Sequence, residues 1–283
     1  MTSLAVLLAC FNRRETTLRC LESLSSQLGL DDVDVSIYLV DDGSTDGTAS
    51  AVQLRFPAVK VLDGNGSLYW TGGMLRADAE AWPAHPDFLL WLNDDVELRP
   101  NALRLLLDAS DSINRNAIVV GAVSDLAGER STYGGYRRCN NRRPMSLQRV
   151  EPSGRVEPLD TMNGNVVLIP AAARESIGLL DSRFSHNMAD MDYGYRASKA
   201  GWSVTLATEY IGRCSLNVAK MKWRDPSLPL RTRWAAITSF RGLPPKEWLA
   251  FTRRYCGWRW PRYFVSPYLR CLTCGVAGRM RRS

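Results

Sequence analysis

The sequence predicts an α/β fold: a mostly parallel sheet flanked by helices, followed by a basic, aromatic-rich helical extension. Three observations predict it. Short apolar runs alternate with stretches of helical period through the first 124 residues, and such alternation implies crossover connections and parallel pairing. The loops after the first four runs are all polar or glycine-rich. Residues 223–283 carry 13 Arg plus Lys against two acids and hold 11 of the 26 aromatic side chains. The overall charge of +7 therefore belongs to this segment, and the rest of the chain is slightly acidic.

Leu4–Ala9 is the first expected strand. Arg14 to Leu28 is a helix, because Leu18, Leu21, Leu24 and Leu28 recur at three and four residues. Val35–Val40 is a second strand, ending in Asp41-Asp42-Gly43-Ser44. Ser44 or Thr45 can cap a helix from Asp46 to Arg55, which Pro57 terminates. Val59–Leu62 is a third strand, followed by Gly64-Asn65-Gly66-Ser67. Gly72-Gly73 opens a helix to about Trp82. Phe88–Leu92, five apolar residues entering Asn93-Asp94-Asp95, is a buried fourth strand. A helix over 101–115 and a strand over Ala117–Val123 follow. Residues 125–160 turn polar, with Gly134-Gly135, Arg137-Arg138 and Arg142-Arg143-Pro144, and are expected as a hairpin or mobile loop. Val166–Ile169 is another strand, Ala171 to Ile177 a short helix, Asp190 to Gly201 a helix and Val204–Leu206 a last short strand.

The expected organisation is a main body over 1–222, divided into halves at 124/125, and an extension over 223–283. A chain of 283 residues is long enough for a substantial core. Seven cysteines without an even framework fit a reducing compartment, and Cys271-Leu-Thr-Cys274 has no second pair for zinc. Leu4 to Cys10 is too short, and lacks a basic leader, to be a signal peptide. No run approaches the ~18 apolar residues needed to span a bilayer.

Ligands of open parallel sheets bind outside the carboxyl ends of the strands. The four loops there are Cys10-Phe11-Asn12-Arg13, Asp41-Asp42-Gly43-Ser44, Gly64 to Gly73 and Asn93-Asp94-Asp95. Their coincidence at one edge points to a nucleotide site rather than a set of solvated turns. Adjacent carboxylates repel, so Asp94 and Asp95 call for a cation, and a divalent metal carrying a phosphate is one such partner. Gly72 and Gly73 allow close backbone approach, and a helix N-terminus there can face an anion. No Walker loop or GxGxxG is present. Tyr69 and Trp70 either line the site or pack.

Three motifs in order carry a resemblance to a known family. Asp41 to Thr48, Leu92-Asn93-Asp94-Asp95-Val96 and Ala189-Asp190-Met191-Asp192-Tyr193-Gly194-Tyr195-Arg196 resemble the second-strand signature, the DxD region and the catalytic-base segment of the family 2 glycosyltransferases, of rhamnosyltransferase-like, cell-surface polysaccharide type. The resemblance covers about residues 4–215 and implies a GT-A, Rossmann-like fold and inverting transfer of a sugar from a nucleotide donor. By the resemblance, Asp95 is the ligand of a divalent metal, Mg²⁺ or Mn²⁺, and Asp190 is the general base. Asn12, Arg13, Asp41, Asp42, Asn65, Gly72, Gly73, Asn93 and Asp94 are the implied donor contacts, with Asp41 toward the base of the nucleotide. Asn163, His186 and Asp192 are candidate acceptor contacts. Asn163 and Asn165 otherwise form a plain turn, and Asp192 otherwise anchors its helix through Arg196. Asn93 stands where many relatives have Asp, and no His occupies Ile211-Gly212-Arg213-Cys214-Ser215, where some relatives place a further ligand. The implied partners are a UDP- or dTDP-sugar and a glycan or lipid-linked acceptor, with the protein cytoplasmic at the inner face of the membrane.

The extension has two readings. Trp248, Phe251, Thr252 and Tyr255 share one face of a helix over 245–255, and Trp258-Arg259-Trp260-Pro261-Arg262 and Arg279 to Arg282 follow. Interleaved aromatic and basic residues suit an anionic membrane surface through 245–283. Alternatively the aromatics pack on the main body. Nothing resembles a nucleic-acid module. Rival functions are a sugar nucleotidyltransferase, disfavoured because Ala9 to Arg14 has no glycine, and a non-catalytic nucleotide-sugar-binding module, disfavoured by the presence of both Asp95 and Asp190.

Overall fold

The computed structural model describes residues 1–140, 145–215 and 222–279. The first half runs β1 (Thr2–Cys10), α1 (Arg14–Ser25), β2 (Val33–Asp41), α2 (Thr48–Arg55), β3 (Lys60–Asp63), α3 (Tyr69–Ala81), β4 (Phe88–Leu92), β5 (Glu97–Leu98), α4 (Ala102–Asp111) and β6 (Ala117–Ser124). The second half runs β7 (Ser131–Tyr133), β8 (Gly135–Arg138), β9 (Leu147–Arg149), β10 (Glu157–Leu159), β11 (Thr161–Met162), β12 (Val166–Pro170), α5 (Ala171–Ile177), α6 (Ala189–Lys199) and β13 (Ser203–Arg213). Helices α7 (Leu230–Thr238), α8 (Pro245–Tyr255) and α9 (Trp260–Arg279) follow.

The main sheet has the order β10-β13-β6-β12-β4-β1-β2-β3, with β5 paired to β13 and β7 to β6. Strands β4, β1, β2 and β3 are parallel, and Cys10 pairs with Asp41 and Asp41 with Asp63. The loops after them therefore leave from one edge, as the sequence predicts. The second half departs from parallel pairing. β12 enters antiparallel between β4 and β6, with Val166 beside Leu92. An antiparallel strand brings its amino end to the edge where parallel neighbours bring their carboxyl ends. Residues 163–165 thus arrive beside Asn93, whose N–H donates to the Asn165 carbonyl at 2.8 Å.

Alternation in the strands divides the core between the two faces of the sheet. Leu4, Val6 and Leu8 of β1 and Leu90 and Leu92 of β4 pack with α1 and α4 through Leu18, Leu21, Leu103 and Leu106. Leu7 and Trp91 face the other way, toward Met74 and Ala77 of α3 and Tyr193 of α6.

Two element boundaries differ from expectation. The helix expected to open at Gly72 begins at Tyr69, because the Asp42 carboxylate accepts the Tyr69 N–H and starts the turn earlier. Gly72 and Gly73 lie inside α3. A Cβ at Gly73 would stand 2.6 Å from the Ala9 Cβ, and one at Gly72 would meet the Leu68 side chain at 3.0 Å. Gly73 lets α3 lie close on β1. The last strand runs to Arg213 rather than Leu206, because register shifts after Leu206 break its alternation. The region 125–160 does contain the expected hairpin, β8 against β9, while Arg142-Arg143-Pro144 lies outside the described residues, as do Arg281 and Arg282.

Of the two readings of the extension, α8 follows the second. α8 is not an outer helix: Trp248 and Phe251 join the same core as Tyr193, Tyr195 and Phe184, and Phe251 is fully buried. The apolar face of 245–255 therefore packs on the main body and does not face a membrane. Burial of this kind makes α8 integral to the fold. Phe251→Ala is expected to cost roughly 3–5 kcal/mol of unfolding free energy, the usual range for an emptied aromatic site. Urea denaturation checks this, and an unshifted midpoint would mean that the extension contributes nothing to the core.

Candidate functional site

The edge is built from side chains that hold its own backbone. Asp41 accepts the Ser44 N–H at 2.8 Å. Asp42 accepts the N–H groups of Gly66 at 2.9 Å and Tyr69 at 3.0 Å, which draws the loop after β3 over the end of β2. Glycine is required where the loops touch: a Cβ at Gly64 would lie 2.6 Å from the Asp42 Cα. Both acids are buried, so neither is the solvated turn residue of the simplest sequence reading. Asn12 joins the first two loops, its Oδ1 accepting the Thr45 N–H at 2.8 Å while its own N–H donates to the Ser44 hydroxyl. Asn65 is exposed and accepts the Ser67 N–H. The structure thus brings Asn12, Asp41, Asp42 and Asn65 together around one rim.

At the end of β4 the three polar residues point to different partners. The Asn93 side-chain oxygen accepts the Trp70 indole N–H at 2.9 Å. Trp70 is thereby fixed to line the site, whereas Tyr69 packs against Phe240 with ring centroids 4.6 Å apart. Asp94 is buried and accepts from Arg13 at 2.6 Å. Arg13 also reaches Asp95 at 3.1 Å, so one guanidinium neutralises the adjacent acids whose repulsion was evident in the sequence. Burial pushes the Asp94 carboxyl up to about 6, against the opposing pull of Arg13. Burial works against the Arg13 charge, but Asp94 and Asp95 outweigh it and raise its pKa.

The donor set can be tested for a divalent cation. Oδ1 of Asp95 is buried and has no hydrogen-bond partner, as expected of an oxygen that awaits an ion. Asn93 and Asp94 are engaged elsewhere. Burial, with Asp95 second, holds the Cys214 thiol above its ordinary pKa, which keeps it protonated and makes it a poor ligand. Among the described residues no cluster of three or more His, Cys, Asp or Glu surrounds a common point. One protein carboxylate is enough for an ion such as Mg²⁺ that takes its other oxygens from phosphate and water. The residues fit such an ion through Asp95 alone.

A cavity of about 660 Å³ opens beside this edge, and Trp70, Asn93, Asn163, His186 and Asp190 line it. Asp190 sits in the first turn of α6. Its carboxylate accepts N–H groups of Gly164 at 2.9 Å and Met191 at 2.8 Å, one from each side. Gly164 has no room for a side chain, since a Cβ would lie 2.6 Å from the Trp70 ring and 3.3 Å from the Asp190 Cβ. Gly164 is therefore wedged between Trp70 and Asp190 at the cavity wall. Asn163 accepts the Tyr136 hydroxyl at 2.7 Å. The His186 ring meets Phe240 edge-on.

Asp192 is not an acceptor contact. Its side chain is fully buried, bound by Arg196 at 2.7 Å, the Tyr255 hydroxyl at 2.7 Å and Arg254. Burial pushes its carboxyl upward, and Tyr255 and Arg196 oppose the shift. Arg254 and Tyr255 of α8 support the site through Asp192, in line with the second of the two readings of the extension for Tyr255. Arg241 and Arg270, which the sequence reading did not single out, line the cavity beside Asp190. The signal was the basic, aromatic composition of the extension.

Asp94 gives a pH test. Its folded-state pKa of about 6 lies above the usual ~3.9 of an unfolded chain, so the native protein binds that proton more tightly. This term favours the fold below about pH 4 and is lost as pH rises toward 6, by up to about 3 kcal/mol. Asp94→Asn is expected to flatten the fall in urea midpoint across that window. An unchanged slope would assign it to other groups.

Residues 5–158 match the sequence model of Glycosyl transferase family 2. Two curated proteins of Mycobacterium tuberculosis, strains CDC 1551 / Oshkosh and ATCC 25618 / H37Rv, are each named N-acetylglucosaminyl-diphospho-decaprenol L-rhamnosyltransferase. Each is 31% identical over 197 residues, which is 59% of this chain and 62% of the relative. Among solved structures, S. aureus TarS superposes with a TM-score of 0.57 at 12% identity, over 89% of this chain and 42% of that one. TarS 1-349 in complex with UDP gives 0.57 at 13%, over 92% and 73%. At such identities the likeness is one of fold, and it agrees with the GT-A expectation. With the family model spanning more than half of its residues, the chain belongs to glycosyl transferase family 2.

Proposed function

We propose that the chain is an inverting, metal-dependent glycosyltransferase that moves a sugar from a UDP- or dTDP-sugar to a hydroxyl of a glycan or lipid-linked glycan in cell-surface polysaccharide synthesis. The observation that carries the reading is the Asp190 carboxylate, held at a cavity wall by two backbone N–H groups beside Trp70 and Asn93. Family membership, the rhamnosyltransferase names of the relatives and the UDP-bound neighbour support it.

In this reading residues 1–124 take the nucleotide-sugar and 125–222 take the acceptor, with the extension closing the acceptor side. Asp41 and Asn65 on the rim contact the nucleoside, and Asp42 and Asn12 fix the loops that surround it. Asp95 holds the divalent ion, which supplies charge stabilisation to the departing diphosphate. Arg13 neutralises the carboxylate pair and is within reach of the same phosphates. Asp190 takes the proton of the attacking hydroxyl. Two fixed hydrogen bonds aim its carboxylate, and displacement in one step inverts the anomeric carbon.

The expected place of action is cytoplasmic, at the inner face of the membrane. No helix among the described residues is long and apolar enough to cross a bilayer. The exposed Trp258, Val265, Leu269 and Leu272, with Arg259 and Arg262 beside them, form the surface suited to anionic headgroups.

Asp190→Asn should keep metal-dependent stabilisation by UDP or dTDP in thermal shift while transfer falls ~10²–10⁴-fold, the usual contribution of a positioned base. Asp95→Asn should lose the metal-dependent shift itself. Full turnover in the Asp190 variant would remove the base assignment. For the membrane surface, Trp258→Ala with Arg259→Glu and Arg262→Glu should weaken co-sedimentation with phosphatidylglycerol vesicles; equal sedimentation would count against it.

A further inference from the structure

Four consecutive residues, Phe184 to Asn187, run toward Asp190, and each is held by the extension. The Phe184 ring meets Phe251 edge-on, and the His186 ring meets Phe240 in the same way. The Ser185 N–H and hydroxyl donate to the two carboxylate oxygens of Glu247, at 3.2 and 2.7 Å. The Asn187 amide donates to the carbonyls of Phe240 at 3.2 Å and Gly242 at 3.0 Å. The main body adds one contact of its own: the Thr71 N–H of α3 donates to the Ser185 carbonyl at 3.2 Å.

The backbone shows what this set of contacts holds in place. Met188, the N-cap of α6, has φ of 73° and ψ of −17°. A side chain with a Cβ resists that left-handed conformation, which persists only where the surroundings over-determine it. Met188 is buried, and its carbonyl accepts the Asp192 N–H at 2.8 Å, so the turn sets the direction in which α6 starts. Asp190 follows two residues on, its carboxylate accepting the N–H groups of Gly164 and Met191. A different start to α6 would draw that carboxylate off Gly164.

Glu247 is where the hold is most specific. It is the only acid of α8. The helix dipole alone favours an acid in a first turn. Here, however, both oxygens are directed at one residue of another segment. Trp248 and Phe251 already anchor α8 in the core, so docking the helix does not require the Glu247 contact.

We propose that Glu247 is a positioning residue for Asp190. By binding Ser185 through both oxygens it maintains the left-handed turn at Met188, and that turn keeps the Asp190 carboxylate on Gly164 at the cavity wall. Asn187 acts with it by tying the same segment to the 240–242 turn. The inference rests on the reading of Asp190 as the base and adds how that base is aimed.

Amide hydrogen exchange in the whole chain, resolved by NMR, tests this without any substrate. Gly164 is buried and its N–H is bound to Asp190, so its exchange reports whether the carboxylate is in place. Asp190→Ala supplies the rate of the released amide. Glu247→Ala should speed exchange at Gly164 by about tenfold or more toward that rate, while Leu7 and Leu90 in the central sheet keep theirs. Glu247→Gln should stay near wild type, because an amide can still accept the Ser185 N–H and donate to its hydroxyl. Adding Met188→Gly to Glu247→Ala should restore protection at Gly164, since glycine holds a positive φ without strain. An unchanged Gly164 rate in Glu247→Ala overturns the proposal. Equal acceleration at Leu7 and Leu90 also overturns it, by making Glu247 a general stabiliser. A loss in Glu247→Gln as large as in Glu247→Ala does the same, by assigning the effect to charge at the helix start. No restoration by Met188→Gly overturns the route through the turn. Full turnover by Asp190→Asn would remove the base and leave the exchange result standing, so the two readings fail separately.

Discussion

The antiparallel insertion of β12 is the constraint on which the site depends. Parallel strands alone would put the rim acids and the Asn93-Asp94-Asp95 segment at one edge and leave nothing opposite them. Because β12 runs the other way, its preceding residues 163–165 are delivered to that edge and locked there by the Asn93 to Asn165 backbone bond. Gly164 then donates to Asp190, and Trp70, held by Asn93, closes over the glycine. The polar edge and the start of α6 are thus joined through three consecutive residues whose positions a single strand reversal determines.

Electrostatics sets the second layer. The edge concentrates carboxylates, and each has a different solution. Asp41 and Asp42 accept backbone N–H groups, Asp94 and Asp95 share Arg13, and Asp192 takes two arginines and a tyrosine. A buried charge is tolerated only with such partners. Asp190 accepts the backbone N–H groups of Gly164 and Met191 at a cavity wall.

Much of this was legible in the sequence, and the limits are physical. The β1 to β4 strands and their polar edge were readable because apolar runs and charge are local signals. Asp95 and Asp190 were singled out through the resemblance to the family's DxD and catalytic-base segments, since by position alone a solvated turn and a helix cap explain them as well. The packing of Gly73 on Ala9 was not legible, because close helix–strand packing and close ligand approach require the same absence of a Cβ. Asp192 was readable only as far as Arg196, four residues away on the same helix, whereas Arg254 and Tyr255 are about sixty residues distant. The face of α8 was visible as a stripe, but a stripe does not say what covers it. The packing of Phe251 against Phe184 and Tyr195 supplies that answer.

The Asp192 network also has a consequence in time. A ribosome makes the chain from its amino end, and the α6 helix emerges well before Arg254 and Tyr255. During that interval the sheet can form, but the Asp192 carboxylate has only Arg196 to answer it. The Glu247 carboxylate, which holds Ser185 just ahead of α6, arrives equally late. The last quarter of the chain therefore acts as the final step of assembly: the cavity takes its shape when α8 docks, so a nascent or prematurely terminated chain carries the rim without a finished cavity.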